Sequence, residues 1–140
     1  MTQEDKQLLL KDLCARLPYG VKVTYPKLSN TMPKEWDVNG IPNKYGFVDI
    51  GVPDKHRFAA VPIEDIKPYL RPMSSMTDKE KEELEYVIEL SLQALEGEEG
   101  HNIVSAAPAA FEIDFYNKHH IDYRGLIEKG LALEAPEGMY

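Results

Sequence analysis

The sequence predicts an α+β fold: a small antiparallel sheet of three or more strands, able to curl toward a barrel, with an N-terminal helix and a helical C-terminal half. Three observations predict it. Leucines recur at helical spacing near the N-terminus, alternating strand-like runs joined by turn residues fill the stretch from Val21 to Val61, and Thr77 opens a long amphipathic pattern. Strand and helix patterns do not alternate regularly, which favours local hairpins over a parallel sheet.

Thr2 followed by Asp5 has the spacing of an N-cap pair. Leu9, Leu10, Leu13, Cys14 and Leu17 then form one apolar stripe, with Lys6, Lys11 and Asp12 opposite, so a helix is expected over 3–17 and a stop at Pro18-Tyr19-Gly20. Val21, Val23 and Tyr25 alternate with polar residues as a half-buried strand does. Within the Pro-, Asn- and Gly-rich stretch that follows, Asn39-Gly40 has the chemistry of a tight hairpin turn. Strands are expected from Phe47 to Val52 and from Arg57 to Val61, turned by Pro53-Asp54-Lys55. Pro62, Pro68 and Pro72 leave room for no more than a helical turn between them.

Thr77-Asp78-Lys79-Glu80 is a capping box. It begins a helix reaching Glu96, with Leu84, Val87, Ile88, Ser91, Leu92 and Leu95 on one face. Gly97-Glu98-Glu99-Gly100 closes it, a further helix starts within Ser105–Pro108 and runs to His120, and a short one over Tyr123–Lys129 is expected between Asp122 and Gly130. The 140 residues thus read as a single domain, strand-rich over 1–72, helical over 77–130 and extended over 131–140.

Composition narrows the function. With 16 Lys+Arg against 24 Asp+Glu the net charge is −8, unsuited to general binding of a phosphate backbone. An apolar fraction of 43% argues against intrinsic disorder. No apolar run reaches the ~18 residues of a membrane span, and Met1-Thr2-Gln3-Glu4-Asp5 lacks the basic start of a secretion signal. The one cysteine, Cys14, excludes an internal disulfide and fits a reducing compartment, so a cytoplasmic protein is expected, with no membrane partner.

The candidate chemistry is sparse. Cys14 shares its stripe with Leu10 and Leu17, which favours a buried structural cysteine over a nucleophile. The histidines are His56, His101, His119 and His120; adjacent positions point about 100° apart, so His119 and His120 lack the spacing of a one-face metal pair. A role at the end of a helix comes first for both. The competing reading gathers Asp114, His119, His120 and Asp122 into a metal or acid–base site through tertiary convergence. The nine glycines form neither a phosphate loop nor a dinucleotide fingerprint, and Ser74-Ser75 lacks the context of a nucleophile elbow. No cofactor is implied, and the absence of a catalytic motif favours a non-enzymatic protein.

Recognition of another protein has more candidates. Trp36 with Tyr45 supplies the aromatic type that anchors interfaces, although an indole folded back over the sheet ranks slightly ahead for Trp36, since a large indole is usually mostly buried. Glu96, Glu98 and Glu99 form an acidic loop able to steer a basic partner, or to mimic nucleic-acid charge. Met139 and Tyr140 place two large side chains at the end of the tail, for docking on their own domain or on a partner. Lys22, Lys27, Lys34, Lys44, Lys55 and Arg57 concentrate in the first half and define a nucleic-acid alternative, ranked last against the acidic total.

The segments Leu8–Val21, Ile66–Thr77 and Ile121–Tyr140 together resemble a group of short uncharacterised proteins carried by gut Bacteroides-type bacteria and by their phages or prophages. The resemblance covers both ends and the middle of the chain, and not the stretch from Lys27 to Asp49. It implies no activity, cofactor or catalytic residue. What it implies is a setting, that of a bacterial or phage accessory protein at work in the cytoplasm. The expected function is therefore that of a small acidic, non-enzymatic protein that binds another protein.

Overall fold

The computed structural model describes residues 1–26, 35–41, 46–52, 57–96 and 107–140. Its elements run α1 (Gln3–Arg16), β1 (Lys22–Thr24), β2 (Trp36–Gly40), β3 (Phe47–Val52), β4 (Arg57–Pro62), β5 (Lys67–Leu70), α2 (Asp78–Glu96), α3 (Ala107–Lys118) and β6 (Leu133–Glu134). The strands form one sheet in the order β4-β3-β2-β1-β5-β6. All pairings are antiparallel except β5 with β6. The fold is α+β, as the sequence predicts, and the sheet is open, with β4 and β6 at its edges; it does not curl into a barrel.

Thr2 caps α1 as expected: its hydroxyl accepts the Asp5 N–H at 3.0 Å, and the Asp5 carboxylate accepts the Thr2 N–H at 3.1 Å. The inward face differs from the leucine stripe. Leu9, Asp12, Leu13 and Arg16 are buried, whereas Cys14 is exposed. Positions 9, 13 and 16 lie within one 3.6-residue arc with 12, and the helix rotates to bury an Asp–Arg pair that is completed by the Ile121 carbonyl and Arg124. That rotation carries Cys14 into solvent and corrects its expected place in the core.

The β3–β4 hairpin has the predicted bounds within one residue, pairing Phe47 with Pro62 and Val52 with Arg57; its turn, Pro53-Asp54-Lys55, lies outside the described residues. Asn39-Gly40 is not a tight turn. It ends β2, where the register against β3 shifts between Val38 and Gly40. A residue pair suited to unusual backbone angles serves a bulge as readily as a turn. The proline-punctuated stretch holds one helical turn at Ile63–Asp65 and also a strand, β5, missed in the sequence. Pro68 pairs with Val23 of β1, while β6 engages Tyr69 and Leu70 only, so the missing proline N–H interrupts no recorded β6 pair.

The core lies between α1 and the sheet. Leu9 and Leu13 pack with Val21, Val23, Trp36, Val38, Val48, Ile50, Val61 and Leu70, closed by Leu126, Leu131 and Ala132 from the last turn of chain. A second cluster, Met76, Phe115, Tyr116 and Ile121 with Leu84 and Tyr123 against it, ties the α2–α3 pair to the rest. The expected helix over Tyr123–Lys129 is a series of turns. Gly125 has φ 73°, outside the helical basin, and the Asp122 carboxylate accepts the Leu126 and Ile127 N–H groups at 2.9 Å each. The predicted cap is present without a helix behind it. Gly130, with φ 74°, ends the segment.

Candidate functional site

Three polar arrangements surround the end of α3. The first is buried. Arg16 Nε meets Asp12 Oδ2 at 2.8 Å and Nη2 meets Oδ1 at 3.1 Å, a two-pronged pair one helical turn apart. Arg16 Nη2 also donates to the Ile121 carbonyl at 2.7 Å, and Arg124 Nε reaches Asp12 Oδ1 at 3.2 Å. The Tyr123 ring receives both guanidinium groups, 5.5 Å from Arg16 and 4.8 Å from Arg124. This arrangement locks α1 to the loop after α3.

The second joins β5, α2 and α3. The capping box forms, with Thr77 N–H donating to Glu80 Oε1 at 3.0 Å and Glu80 N–H donating to the Thr77 hydroxyl at 3.1 Å. The same carboxylate is gripped by Arg71, at 2.6 Å and 2.8 Å, and faces His119 Nδ1 at 3.2 Å. The Arg71 guanidinium holds the Glu80 carboxyl down to about 2. Arg71 also donates to the Ser75 carbonyl at 3.0 Å and the His119 carbonyl at 3.3 Å.

The third is the docked tail. Tyr140 stacks on His120 with ring centroids 3.7 Å apart and planes within 12°. Its hydroxyl accepts the Lys22 N–H at 3.0 Å and donates to the Tyr69 carbonyl at 2.8 Å, spanning β1 and β5. Two shallow cavities share the Tyr140, Arg71 and Thr77 walls. One, of about 520 Å³, is lined also by Lys118, His119 and His120; the other, of about 370 Å³, runs along Glu134–Gly138.

The proposed metal or acid–base set does not converge. Asp114 accepts a short hydrogen bond from the Tyr19 hydroxyl, His119 faces Glu80, His120 stacks on Tyr140, and Asp122 caps the following turns. Among the described residues no three His, Cys, Asp or Glu side chains are placed to hold a metal ion. The His119 ring lies against the Phe115 ring, with centroids 4.4 Å apart.

Of the partner-binding candidates, Trp36 is corrected: it is only 2% exposed, part of the core beneath the sheet, and unable to anchor a surface contact. Tyr45, Glu98 and Glu99 lie outside the described residues, as do His56, His101, Lys27, Lys34, Lys44 and Lys55. Glu96 ends α2. Met139 is half-buried, and the tail docks on its own domain. Lys22 is engaged by Asp37 at 3.0 Å.

Sequence reasoning missed the outer face of α2. The helix carries seven acidic residues and two lysines. At 100° per residue, Tyr86 and Leu90 share the face opposite the inward Leu84, Val87, Ile88 and Ser91, and Glu82, Glu83 and Glu89 bracket them. Tyr86 is 62% exposed and Leu90 46%. The signal was present as two apolar residues off the core stripe. Phe111 and Ile113 add exposed apolar surface on α3.

Comparison with protein-family models, with curated proteins and with solved structures finds no match to this chain. Among the described residues, no helix is long and apolar enough to cross a membrane.

Proposed function

We propose that this chain is a non-enzymatic interaction module whose α2 helix takes a basic, amphipathic segment of another protein. The observation that carries the reading is the exposed Tyr86–Leu90 ridge bracketed by Glu82, Glu83 and Glu89. Adjacent apolar side chains held in solvent within a polar rim mark contact surfaces, and an acidic rim selects and steers a basic partner. Glu80 and Asp12 are engaged within the fold by ion pairs and Asp114 by the Tyr19 hydroxyl, while Glu83 of the bracket reaches His119 Nε2 at 3.9 Å and stays half-exposed. On this reading the partner belongs to the bacterial cytoplasm, the setting that the resemblance implies.

The test compares affinity capture by the native chain with capture by two variants: Glu82→Lys/Glu83→Lys/Glu89→Lys and Tyr86→Ser/Leu90→Ser. A stoichiometric basic partner that both variants lose supports the reading. Equal capture by all three chains rejects it.

A further inference from the structure

His120 is the one non-glycine residue with positive φ among the described residues, at 60°. It stands just past α3, where its N–H donates to the Asn117 carbonyl at 3.2 Å and the Ile121 N–H returns to the Tyr116 carbonyl at 2.9 Å. That pattern is the helix ending in which glycine or asparagine is the usual left-handed residue. A β-carbon in this conformation costs roughly 1 kcal/mol per residue. The imidazole is buried at 8% exposure, and its Nδ1 has no hydrogen-bond partner. A strained, buried and unsatisfied histidine calls for a compensating contact, and that contact is the Tyr140 ring.

The tail that delivers Tyr140 has few other attachments. Leu131 and Ala132 are core residues, but from Leu133 onward the chain is held by a two-residue parallel ladder on β5 and by the Ala135 N–H donating to the Leu70 carbonyl at 2.7 Å. Met139 N–H donates to the Pro136 carbonyl at 3.2 Å across a turn in which Gly138 has φ 82°. That turn bends the chain back so that the Tyr140 hydroxyl reaches Lys22 and Tyr69. An exposed strap with one aromatic key is built to open without disturbing the core.

We propose that residues 133–140 form a strap, hinged at Ala132–Leu133, that stays docked on β5 while His120 is neutral and releases when His120 is protonated. The groups around the ring favour the neutral form. Arg16 of α1, Arg71 after β5 and the adjacent His119 all repel a proton there. The nearby carboxylates are spoken for, Asp12 by Arg16 and Arg124, Glu80 by Arg71 and His119. From the tail, Tyr140 offers an uncharged phenol throughout this pH range. Burial and the surrounding cations push the His120 imidazole down to about 4. Because the docked state disfavours the proton, docking is strongest above about 6.5, the ordinary histidine value. It weakens as pH falls toward 4 and then levels off.

The experiment is NMR on the full chain between pH 7 and pH 3.5, following the His120 ring and the protection factors of the Ala135 and Lys22 amides. In the native chain the tail amides lose at least tenfold in protection as pH falls, while the Ile50 amide in β3 keeps its own. Tyr140→Ala, with the ring uncovered, moves the His120 titration upward toward the ordinary histidine range. His120→Asn, which tolerates the left-handed backbone, removes the pH dependence of the tail. If His120 of the native chain titrates near 6.5 while the tail amides stay protected throughout, the strap is not acid-released. Loss of tail and Ile50 protection together, or His120→Asn retaining the native pH profile, would equally overturn it.

Discussion

Asp12 and Arg16 face each other one turn apart on α1 with no exposed side-chain surface on either, joined through Nε at 2.8 Å. The pair stands inside the face that packs on the sheet, and Arg16 Nη2 also donates to the Ile121 carbonyl at 2.7 Å, while Nη1 is buried without a hydrogen-bond partner. A helix that looks like a leucine stripe in sequence is therefore keyed to the far end of the chain by a buried charge pair. Removal of one partner strands the other: Arg16→Ala is expected to destabilise the fold by about 3–5 kcal/mol. The double change Asp12→Leu/Arg16→Met costs less than the sum of the single changes. Urea unfolding of Arg16→Ala, Asp12→Leu, Arg16→Met and the double variant measures both quantities.

Glu80 links three elements, and its ionisation has a definite pH signature. Its carboxyl in the fold is held at about 2, below the ordinary 4.5. The stability it contributes is complete above about 4.5 and falls as pH drops toward 2. Glu80→Gln keeps the side-chain length of the capping box and removes the charge that Arg71 and His119 meet. The expected loss at pH 7 is about 1.5–3 kcal/mol, with a flatter stability profile below pH 4.5. Thermal unfolding at a series of pH values reads both.

Trp36 and Phe58 should behave oppositely. Trp36 is 2% exposed and Phe58 72% exposed. Trp36→Ala is expected to cost about 3–5 kcal/mol through the cavity it leaves. Phe58→Ser lies within about 0.5 kcal/mol of the native chain, as surface changes do. Denaturant midpoints of the two variants distinguish a core indole from an exposed ring.

Gly125 is expected to resist substitution through its backbone. At φ 73° an added β-carbon meets no atom within 4 Å, so the cost of Gly125→Ala is conformational, about 1–2 kcal/mol. Gly125→Asn, better suited to that region, costs less. Comparing the two unfolding midpoints separates backbone strain from packing.

The elements with strong local signals were legible. The capping boxes at Thr2 and Thr77, the β3–β4 hairpin and the bounds of α2 all follow from short-range chemistry. What escaped depends on tertiary context. The rotation of α1 that buries Asp12 and exposes Cys14 is decided by Ile121 and Arg124, more than a hundred residues away. β5 was hidden because prolines read as punctuation, although Pro68 sits beyond the end of the β6 ladder. Gly125 turned a capped helical pattern into turns. At the candidate site, Asp114, His119 and His120 each have a structural partner distant in sequence, which spacing alone does not reveal, and Asp122 has a local one. The Tyr86–Leu90 ridge was readable as apolar residues off the core stripe, but its exposure depends on where α3 packs.

The central claim is that the acid-bracketed ridge on α2 binds a basic partner, and binding of the captured partner to purified variants tests it most directly. Titration by calorimetry is run on the native chain, on Glu82→Lys/Glu83→Lys/Glu89→Lys and on Tyr86→Ser/Leu90→Ser, each at low and at physiological salt. Both variants retain native thermal stability within a few degrees, as exposed-face changes do. The account predicts affinity reduced at least tenfold in both variants, with the salt dependence of the native chain lost in the charge-reversed one. Affinity unchanged in both variants, or a native chain that captures no partner, contradicts it.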